Sequence, residues 1–188
     1  ERERENKRKE KGNEPLLVPR STRIKVIDFG GATYDDQRKS TTINTRQYRG
    51  PEVILETGWS YPSDIWGVGC IIAEIYSGEL LFPTHENLEH LCMMEKLFGP
   101  FPYHLIRESK LNKTYFHSDG ELRMDCLTSK SRDHVRSLPS LEKLFSQYGR
   151  ISEERDLLSL ELDLLDIDPY KRLTAHQALK KRYFHRRS

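Results

Sequence analysis

The segment "IKVIDFGGATYDD", residues 24–36, contains an acidic side chain that could bind a metal ion. Ile24 and Val26 alternate with polar residues and predict a short strand, which Asp28 follows directly. A carboxylate at the end of a strand is a suitable oxygen ligand for a hard cation such as Mg²⁺. The alternative is an aspartate that only ends the strand in a turn. The two glycines that follow would let the backbone bend sharply and change conformation.

Three further charged residues stand in distinctive segments later in the chain. Glu52 lies in "TRQYRGPEVIL", 24 residues after Asp28. Asp64 lies in "SDIWGVGC" and Arg172 in "DIDPYKRLTAHQAL". A tripeptide such as Asp-Phe-Gly recurs by chance, whereas four segments in this order are far more specific.

These segments together resemble the C-terminal lobe of eukaryotic protein kinases, over about residues 22–185. A closer resemblance is to the LAMMER kinases, the Cdc2-like dual-specificity group, whose signature reads E-H-L-A-M-M-E-R. Residues 89–96 read E-H-L-C-M-M-E-K, which is identical at six of eight positions. The matching signature helix therefore comprises Glu89, His90, Leu91, Met93, Met94 and Glu95, with Lys96 in place of arginine.

The resemblance implies that Asp28 binds the Mg²⁺ that bridges the phosphates of ATP, in a motif completed by Phe29 and Gly30. Residues 28–52 would then be the activation segment. Its candidate phosphorylation sites are Ser40, Thr41 and Thr42. A phosphate there could order the segment by pairing with Arg46 or Arg49; the alternative is that these hydroxyls only lie in a solvated loop.

The resemblance also implies supporting roles. Thr45 and Arg49 would position the peptide substrate. Glu52 and Arg172 would form a buried ion pair, and Asp64 would accept backbone hydrogen bonds from the catalytic loop. The alternative for Asp64 is an ordinary aspartate at the start of a helix, where the helix dipole favours it.

Core packing accounts for the leucine and methionine stripe of the signature helix. Only Glu89, His90, Glu95 and Lys96 are then available for other contacts. Lysine in place of arginine retains the charge but loses the planar fork of donors.

Other parts that phosphoryl transfer requires are absent from the sequence. It contains no G-x-G-x-x-G loop, no V-A-x-K lysine and no catalytic loop of the form H-x-D-L-K-P-E-N. His117-Ser118-Asp119 does not replace that loop, because it follows Asp28 and lies in a predicted turn. We therefore expect a C-terminal lobe without an N-terminal lobe or catalytic base, and no phosphate transfer by the chain as written.

The sequence predicts a mainly α-helical fold with short strands near the front. Residues 1–20 are expected to be a charged, disordered tail or insert, and residues 21–185 the kinase C-terminal lobe. Helices are predicted within residues 60–79, 86–99, 153–169 and 173–184, and a small hairpin at 113–125. The helix of residues 60–79 is apolar on almost every side, which predicts that it is buried all round.

Composition excludes some partners. Thirty-one basic against 29 acidic residues give a net charge of +2, too small to predict direct binding of nucleic acid. The longest apolar stretch is far too short to cross a membrane. Three scattered cysteines show no metal-binding spacing and indicate reduced thiols.

Two functional hypotheses follow. In the first, the chain is part of a LAMMER-type kinase that uses ATP and Mg²⁺ and phosphorylates Ser and Thr, with Tyr, of arginine-serine-rich proteins in the nucleus or the cytoplasm. In the second, it is a non-catalytic remnant that binds partner proteins. In either case we expect the isolated chain to bind ATP and Mg²⁺ poorly.

Overall fold

The structure is a computed structural model that describes residues 21–38, 40–146 and 151–185, with the backbone alone at 151–153. Residues 1–20, where the sequence predicts a charged tail, lie outside the described residues. The chain divides into two units, Glu1–Gln37 and Arg38–Ser188.

The described part of the first unit has little regular structure. All residues from 21 to 37 are exposed, and the one regular element among them is a 3₁₀ turn at Phe29–Gly31. The predicted strand is wrong: Ile24 and Val26 are 89% and 74% exposed in irregular backbone. A strand is stabilised by hydrogen bonds to a neighbouring strand. The described residues of this unit supply no such neighbour.

The second unit is helical, so the prediction of a mainly α-helical fold is confirmed. Its described α-helices are α1 (Pro51–Ile54), α2 (Tyr61–Ser77), α3 (Asn87–Phe98), α4 (Tyr103–Glu108), α5 (Asn112–Tyr115), α6 (Ser129–Ser137), α7 (Leu141–Phe145), α8 (Ile151–Leu164) and α9 (Ala175–Ala178). Short 3₁₀ helices lie at Arg46–Tyr48, Met124–Cys126 and Arg182–His185.

Helix α2 forms where the sequence predicts it, with an acidic first turn and a glycine at its end. Gly78 adopts φ 74° and donates its N–H to the carbonyl of Glu74 at 2.7 Å, which ends the helix. Trp66 is completely buried and packs against Phe82 and Phe98, with ring centroids 5.9 and 5.8 Å away. These contacts place one face of α2 in the core.

The prediction that α2 is buried all round is wrong. Val68, Ile71 and Ile75 are 44%, 47% and 79% exposed and lie at helical spacing on one side. Helix α2 packs against α7, α8 and the 3₁₀ helix at Arg46–Tyr48. The contacts with these elements cover its other face, and the apolar stripe remains in water.

Helices α2 and α8 approach each other closely at Gly69. A Cβ atom built there would lie 2.8 Å from the side chain of Leu165, closer than real Cβ contacts allow. Glycine at this position therefore leaves room for Leu165, which directly follows α8.

The predicted helix of residues 173–184 is shorter than expected. Thr174 and Gln177 form a capping box, and α9 ends after one turn at Ala178. The predicted hairpin is present in minimal form, as one antiparallel bridge between Phe116 and Leu122 with Gly120 at φ 91°. No described helix is long and apolar enough to pass through a lipid bilayer.

Candidate functional site

Asp28 adopts the left-handed backbone conformation, with φ 65° and ψ 60°, and precedes the 3₁₀ turn at Phe29–Gly31. The N–H of Ala32 donates to the carbonyl of Phe29 at 3.0 Å and closes this turn. Few residues other than glycine adopt this conformation, although aspartate tolerates it better than most. Because Asp28 is exposed, its carboxylate is accessible to a cation.

The candidate phosphorylation sites are accessible. Ser40, Thr41 and Thr42 are exposed, and the Ser40 hydroxyl donates to the carbonyl of Thr42 at 3.0 Å. The indole N–H of Trp59 donates to the carbonyl of Ser40 at 2.7 Å. This bond fixes the backbone beside the three hydroxyl groups.

The two arginines expected to receive a phosphate are engaged with other groups. Arg46 donates to the side-chain oxygen of Asn87. Arg49 donates from Nε to the carbonyl of Ile43 and from Nη2 to the carbonyl of Asn44, both at 3.1 Å. Burial, and after it the charge of Arg46, lowers the pKa of Arg49. Pairing of either arginine with phosphate on residues 40–42 stays a prediction.

Thr45 precedes the 3₁₀ helix at Arg46–Tyr48, and its carbonyl accepts the N–H of Tyr48 at 2.9 Å. Its side chain is exposed. The Tyr48 hydroxyl donates to Oε2 of Glu74 on α2 at 2.6 Å, which raises the pKa of Tyr48. The end of the candidate activation segment is thus attached to the core, while Thr45 faces solvent.

Glu52 and Arg172 form the buried ion pair that the resemblance implies. Nη1 and Nη2 of Arg172 donate to the two carboxylate oxygens of Glu52 at 2.8 and 3.0 Å, and both side chains are almost completely buried. The Ser63 hydroxyl donates to Oε1 of Glu52 at 2.6 Å. The carboxylate is therefore satisfied by three charged or polar donors.

Arg172 is held in place by contacts other than the ion pair. It donates to the carbonyls of Pro62 and Asp166 at 2.7 and 3.0 Å. Its guanidinium lies 5.0 Å from the ring centroid of Trp66. Such an arrangement defines geometry more than it adds stability, because desolvation offsets most of the attraction between the charges.

The structure gives a steric reason for glycine at position 50. A Cβ atom at this position would lie 2.8 Å from both carboxylate oxygens of Glu52. Glycine therefore leaves the space that the bidentate ion pair with Arg172 occupies.

Asp64 lies in the first turn of α2 and is exposed. Within the described ranges its side chain forms no hydrogen bond or ion pair, so its role toward a catalytic loop stays a prediction.

Comparison with known proteins assigns these features to a family. The profile of the protein kinase domain matches residues 11–184. The chain belongs to the protein kinase family.

The similar kinases confirm the resemblance to the LAMMER group. Serine/threonine-protein kinase AFC2 of Arabidopsis thaliana is 46% identical over 172 residues, which cover 90% of this chain and 40% of that protein. Dual specificity protein kinase CLK1 of Homo sapiens is 47% identical over 161 residues, covering 86% and 32%. Dual specificity protein kinase lkh1 of Schizosaccharomyces pombe is 44% identical over 170 residues, covering 89% and 24%. The chain thus spans less than half the length of these relatives.

A crystal structure of a kinase domain matches the fold with a TM-score of 0.80 and 36% sequence identity. The match covers 88% of this chain and 48% of that one. The kinase fold is therefore supported by both sequence and structure.

The kinase signature helix is α3, and most of it is core. Leu91, Met93 and Met94 are completely buried. His90 is completely buried too and Glu89 is 7% exposed, so the expectation that both are available for other contacts is wrong. The sequence pattern alone does not reveal this, because polar residues seldom occupy a core unless they are paired.

Glu89 and His90 are buried in different ways. Burial raises the pKa of Glu89, but hydrogen bonds from Thr84, His134 and Ser131 outweigh it and lower the pKa overall. Neither ring nitrogen of His90 has a hydrogen-bond partner in the described structure. Burial, followed by the charges of Arg49 and Arg46, lowers the pKa of His90 to about 3, which keeps the ring neutral.

The end of the signature helix faces outward. Lys96 is exposed, and Glu95 is half-buried. Burial raises the pKa of Glu95, with a smaller effect from the charge of Glu121. Of the four polar residues in the signature, these two remain accessible to partners.

The donor chemistry of Asp28 fits one ligand of a Mg²⁺ site. Mg²⁺ in kinases is held by one or two carboxylates, with substrate phosphates and water completing its coordination. The described residues contain no group of three His, Cys, Asp or Glu side chains that could hold a metal on their own. A single exposed carboxylate such as Asp28 is compatible with a site in which nucleotide phosphates complete the coordination and Mg²⁺ would neutralise negative charge.

Sequence reasoning missed Glu161 on α8. Its carboxylate is completely buried, and neither oxygen has a hydrogen-bond partner within the part of the chain that is described. Burial raises the pKa of Glu161 to about 8. The signal was present, since Glu161 falls at helical spacing among Leu157, Leu160 and Leu164, on the apolar face.

Proposed function

We propose that this chain is the metal-binding and substrate-positioning part of a protein kinase of the LAMMER type. The complete enzyme transfers the γ-phosphoryl group of ATP to Ser and Thr, and to Tyr, of arginine-serine-rich proteins in the nucleus. The observation that carries the proposal is the bidentate contact of Arg172 with Glu52 at the end of the activation segment. Its support is the family membership and the similarity to dual-specificity kinases.

Each group has a defined task in the proposed reaction. Asp28 would be one ligand of a Mg²⁺ ion, which would supply positive charge beside the transferred phosphoryl group. Thr45 and Arg49 orient the acceptor peptide. The ion pair of Glu52 with Arg172 keeps the end of the activation segment in one conformation.

The catalytic base, the second Mg²⁺ ligand and the phosphate-binding lysine must come from residues outside this sequence. We therefore expect the chain alone to transfer no phosphate and to bind ATP and Mg²⁺ weakly. Calorimetric titration with Mg-ATP should give no specific binding isotherm, and micromolar affinity would contradict this expectation.

A chimera tests whether these residues can function in a complete kinase. This chain would replace the matching 161 residues of human dual specificity protein kinase CLK1, and transfer of radioactive phosphate to an Arg-Ser repeat peptide would be measured. The chimera should be active, and Asp28→Asn should reduce kcat by at least about 100-fold, because a carboxylate ligand of the metal is lost. Asp133→Asn is the matched control and should leave kcat unchanged, because Asp133 is an exposed aspartate on α6, outside the candidate activation segment.

The second candidate is a non-catalytic module that binds partner proteins. The observation in its favour is the apolar stripe of Val68, Ile71 and Ile75 that α2 exposes. A folded chimera without activity would favour this candidate over the kinase. If the chimera phosphorylated a Lys-Ser repeat peptide as fast as the Arg-Ser repeat peptide, the proposed preference for arginine-serine substrates would be wrong.

A further inference from the structure

A cavity of about 580 Å³ lies between α4, α5 and the small hairpin. Its apolar lining comes from Tyr103, Ile106 and Phe116, of which Phe116 is buried and Ile106 half-buried. Small-molecule sites in proteins occupy about 300–1,000 Å³. The cavity is therefore large enough for a side chain of a bound protein.

Three cations line this cavity, which is therefore named the cationic cavity: Arg107, Lys113 and Arg123. Its described lining includes no aspartate or glutamate. None of the three cations lies within 4.0 Å of a carboxylate in the residues that the structure describes. Like charges gathered without counter-charges are unfavourable, so an anionic ligand would stabilise this arrangement.

Arg123 adds a second, independent observation. Its Nη1 donates to the carbonyl of Lys113 at 3.2 Å, which fixes the guanidinium against α5. Its Nε is buried and has no hydrogen-bond partner in the described parts of the chain. A buried donor without a partner is costly, so Arg123 is held in an unfavourable setting beside the cavity.

Asp125 follows the hairpin and does not line the cavity. The ring of His117 contacts its carboxylate at 2.9 Å. The hydrogen bond from His117 lowers the pKa of Asp125, with smaller contributions from the charges of His117 and Arg123. The hydrogen bond of Asp125 is with His117, so Asp125 forms no ion pair with the cations of the cavity, although its charge and that of Arg123 interact.

We propose that the cationic cavity binds the phosphotyrosine side chain of a partner protein. The phosphate accepts charge-assisted hydrogen bonds from the three cations, and the aromatic ring packs against Phe116 and Ile106. Phosphoserine has no ring to cover these apolar groups. Nucleic acid binding relies on many phosphate contacts, whereas this cavity has three cations and the whole chain a net charge of +2.

The proposed site is independent of phosphoryl transfer, because none of its residues belongs to the candidate activation segment or the metal site. Binding can therefore be measured on the full chain without ATP. Loss of phosphotyrosine binding and loss of kinase activity are separate outcomes of separate measurements.

The test is fluorescence anisotropy of one labelled peptide in three forms, containing phosphotyrosine, phosphoserine or tyrosine at the same position. Only the phosphotyrosine peptide should bind, and its affinity should fall as salt is raised. Arg107→Gln and Lys113→Gln should each weaken binding about tenfold, since each removes one charge-assisted hydrogen bond. Both residues are exposed, and circular dichroism would confirm that the variants fold.

Arg136→Gln is the matched control, because Arg136 is an exposed cation on α6 outside the cavity. It should leave the affinity unchanged. Equal binding of the phosphoserine peptide, equal weakening by Arg136→Gln, or no binding of any peptide would each overturn the proposal. Displacement of the peptide by millimolar inorganic phosphate would support a site that recognises the phosphate group.

Discussion

Residues 21–37 and residues 40–185 carry kinase motifs in opposite physical settings. Asp28 lies in a segment whose described residues are all exposed. Glu52 is 1% exposed and accepts hydrogen bonds from Arg172 and Ser63. Burial of a charge requires partners, so the fold explains why position 52 is acidic and is matched by Arg172. The carboxylate of Asp28 has no such buried partner, and a role in ligand binding stays a prediction for this residue.

The comparison predicts that the largest loss of stability follows removal of Arg172. Arg172→Met should lower the free energy of unfolding by about 3–5 kcal/mol, because Glu52 would remain buried without its partner. Urea denaturation followed by circular dichroism measures the change. The double variant with Glu52→Gln should recover part of the loss; a double variant no more stable than Arg172→Met would contradict the coupling.

Glu161 gives a second comparison, between two buried carboxylates of the second unit. Unlike Glu52, Glu161 has no hydrogen-bond partner for its carboxylate in the described structure. Its folded pKa of about 8 lies above the ordinary value of 4.5, so the folded state holds a proton that the unfolded state releases. Stability should therefore be greatest below pH 4.5, decline as pH rises and level off above pH 8. Between pH 5 and pH 7 the free energy of unfolding should fall by about 2–3 kcal/mol because of this group.

The variant Glu161→Gln should lack this dependence and be more stable than the original chain at pH 7. Unfolding by urea at pH 5, 6, 7 and 8 measures the slope in both proteins. Glu142→Gln on α7, an exposed position, is the control and should keep the original slope. Parallel pH profiles of the original chain and Glu161→Gln would show that Glu161 is not the group responsible.

The smallest effect on stability is expected at Asp28. Because its side chain is exposed, Asp28→Asn should change the free energy of unfolding by no more than about 0.5 kcal/mol. Thermal or urea unfolding of the variant is the measurement. A loss comparable to that of Arg172→Met would show that Asp28 is a structural residue, and the contrast between the two regions would fail.

The sequence predicted helices best where local signals agreed. Gly78 and Gly99 end α2 and α3 near the predicted positions, and Thr174 caps α9. The strand at Ile24 failed because alternation of side chains cannot provide a neighbouring strand.

The parts of the site that could be predicted are those marked by motif residues in a fixed order along the sequence. The resemblance implied the pair of Glu52 with Arg172, although they are 120 residues apart. It gave no indication of Ser63, whose hydroxyl completes that pair, because tertiary contacts of a single serine leave no periodic pattern. The exposure of Ile75 could not be predicted either, because the hydrophobicity of a side chain does not show which neighbouring elements cover it.

The separation of Glu52 and Arg172 along the sequence has a consequence for folding during synthesis. During translation, Glu52 leaves the ribosome well before its partner. At about 5–20 residues per second, the intervening chain takes roughly 6–24 s to synthesise. The glutamate must stay hydrated throughout that interval, so the final shape of this region can be acquired only after Arg172 has also been made.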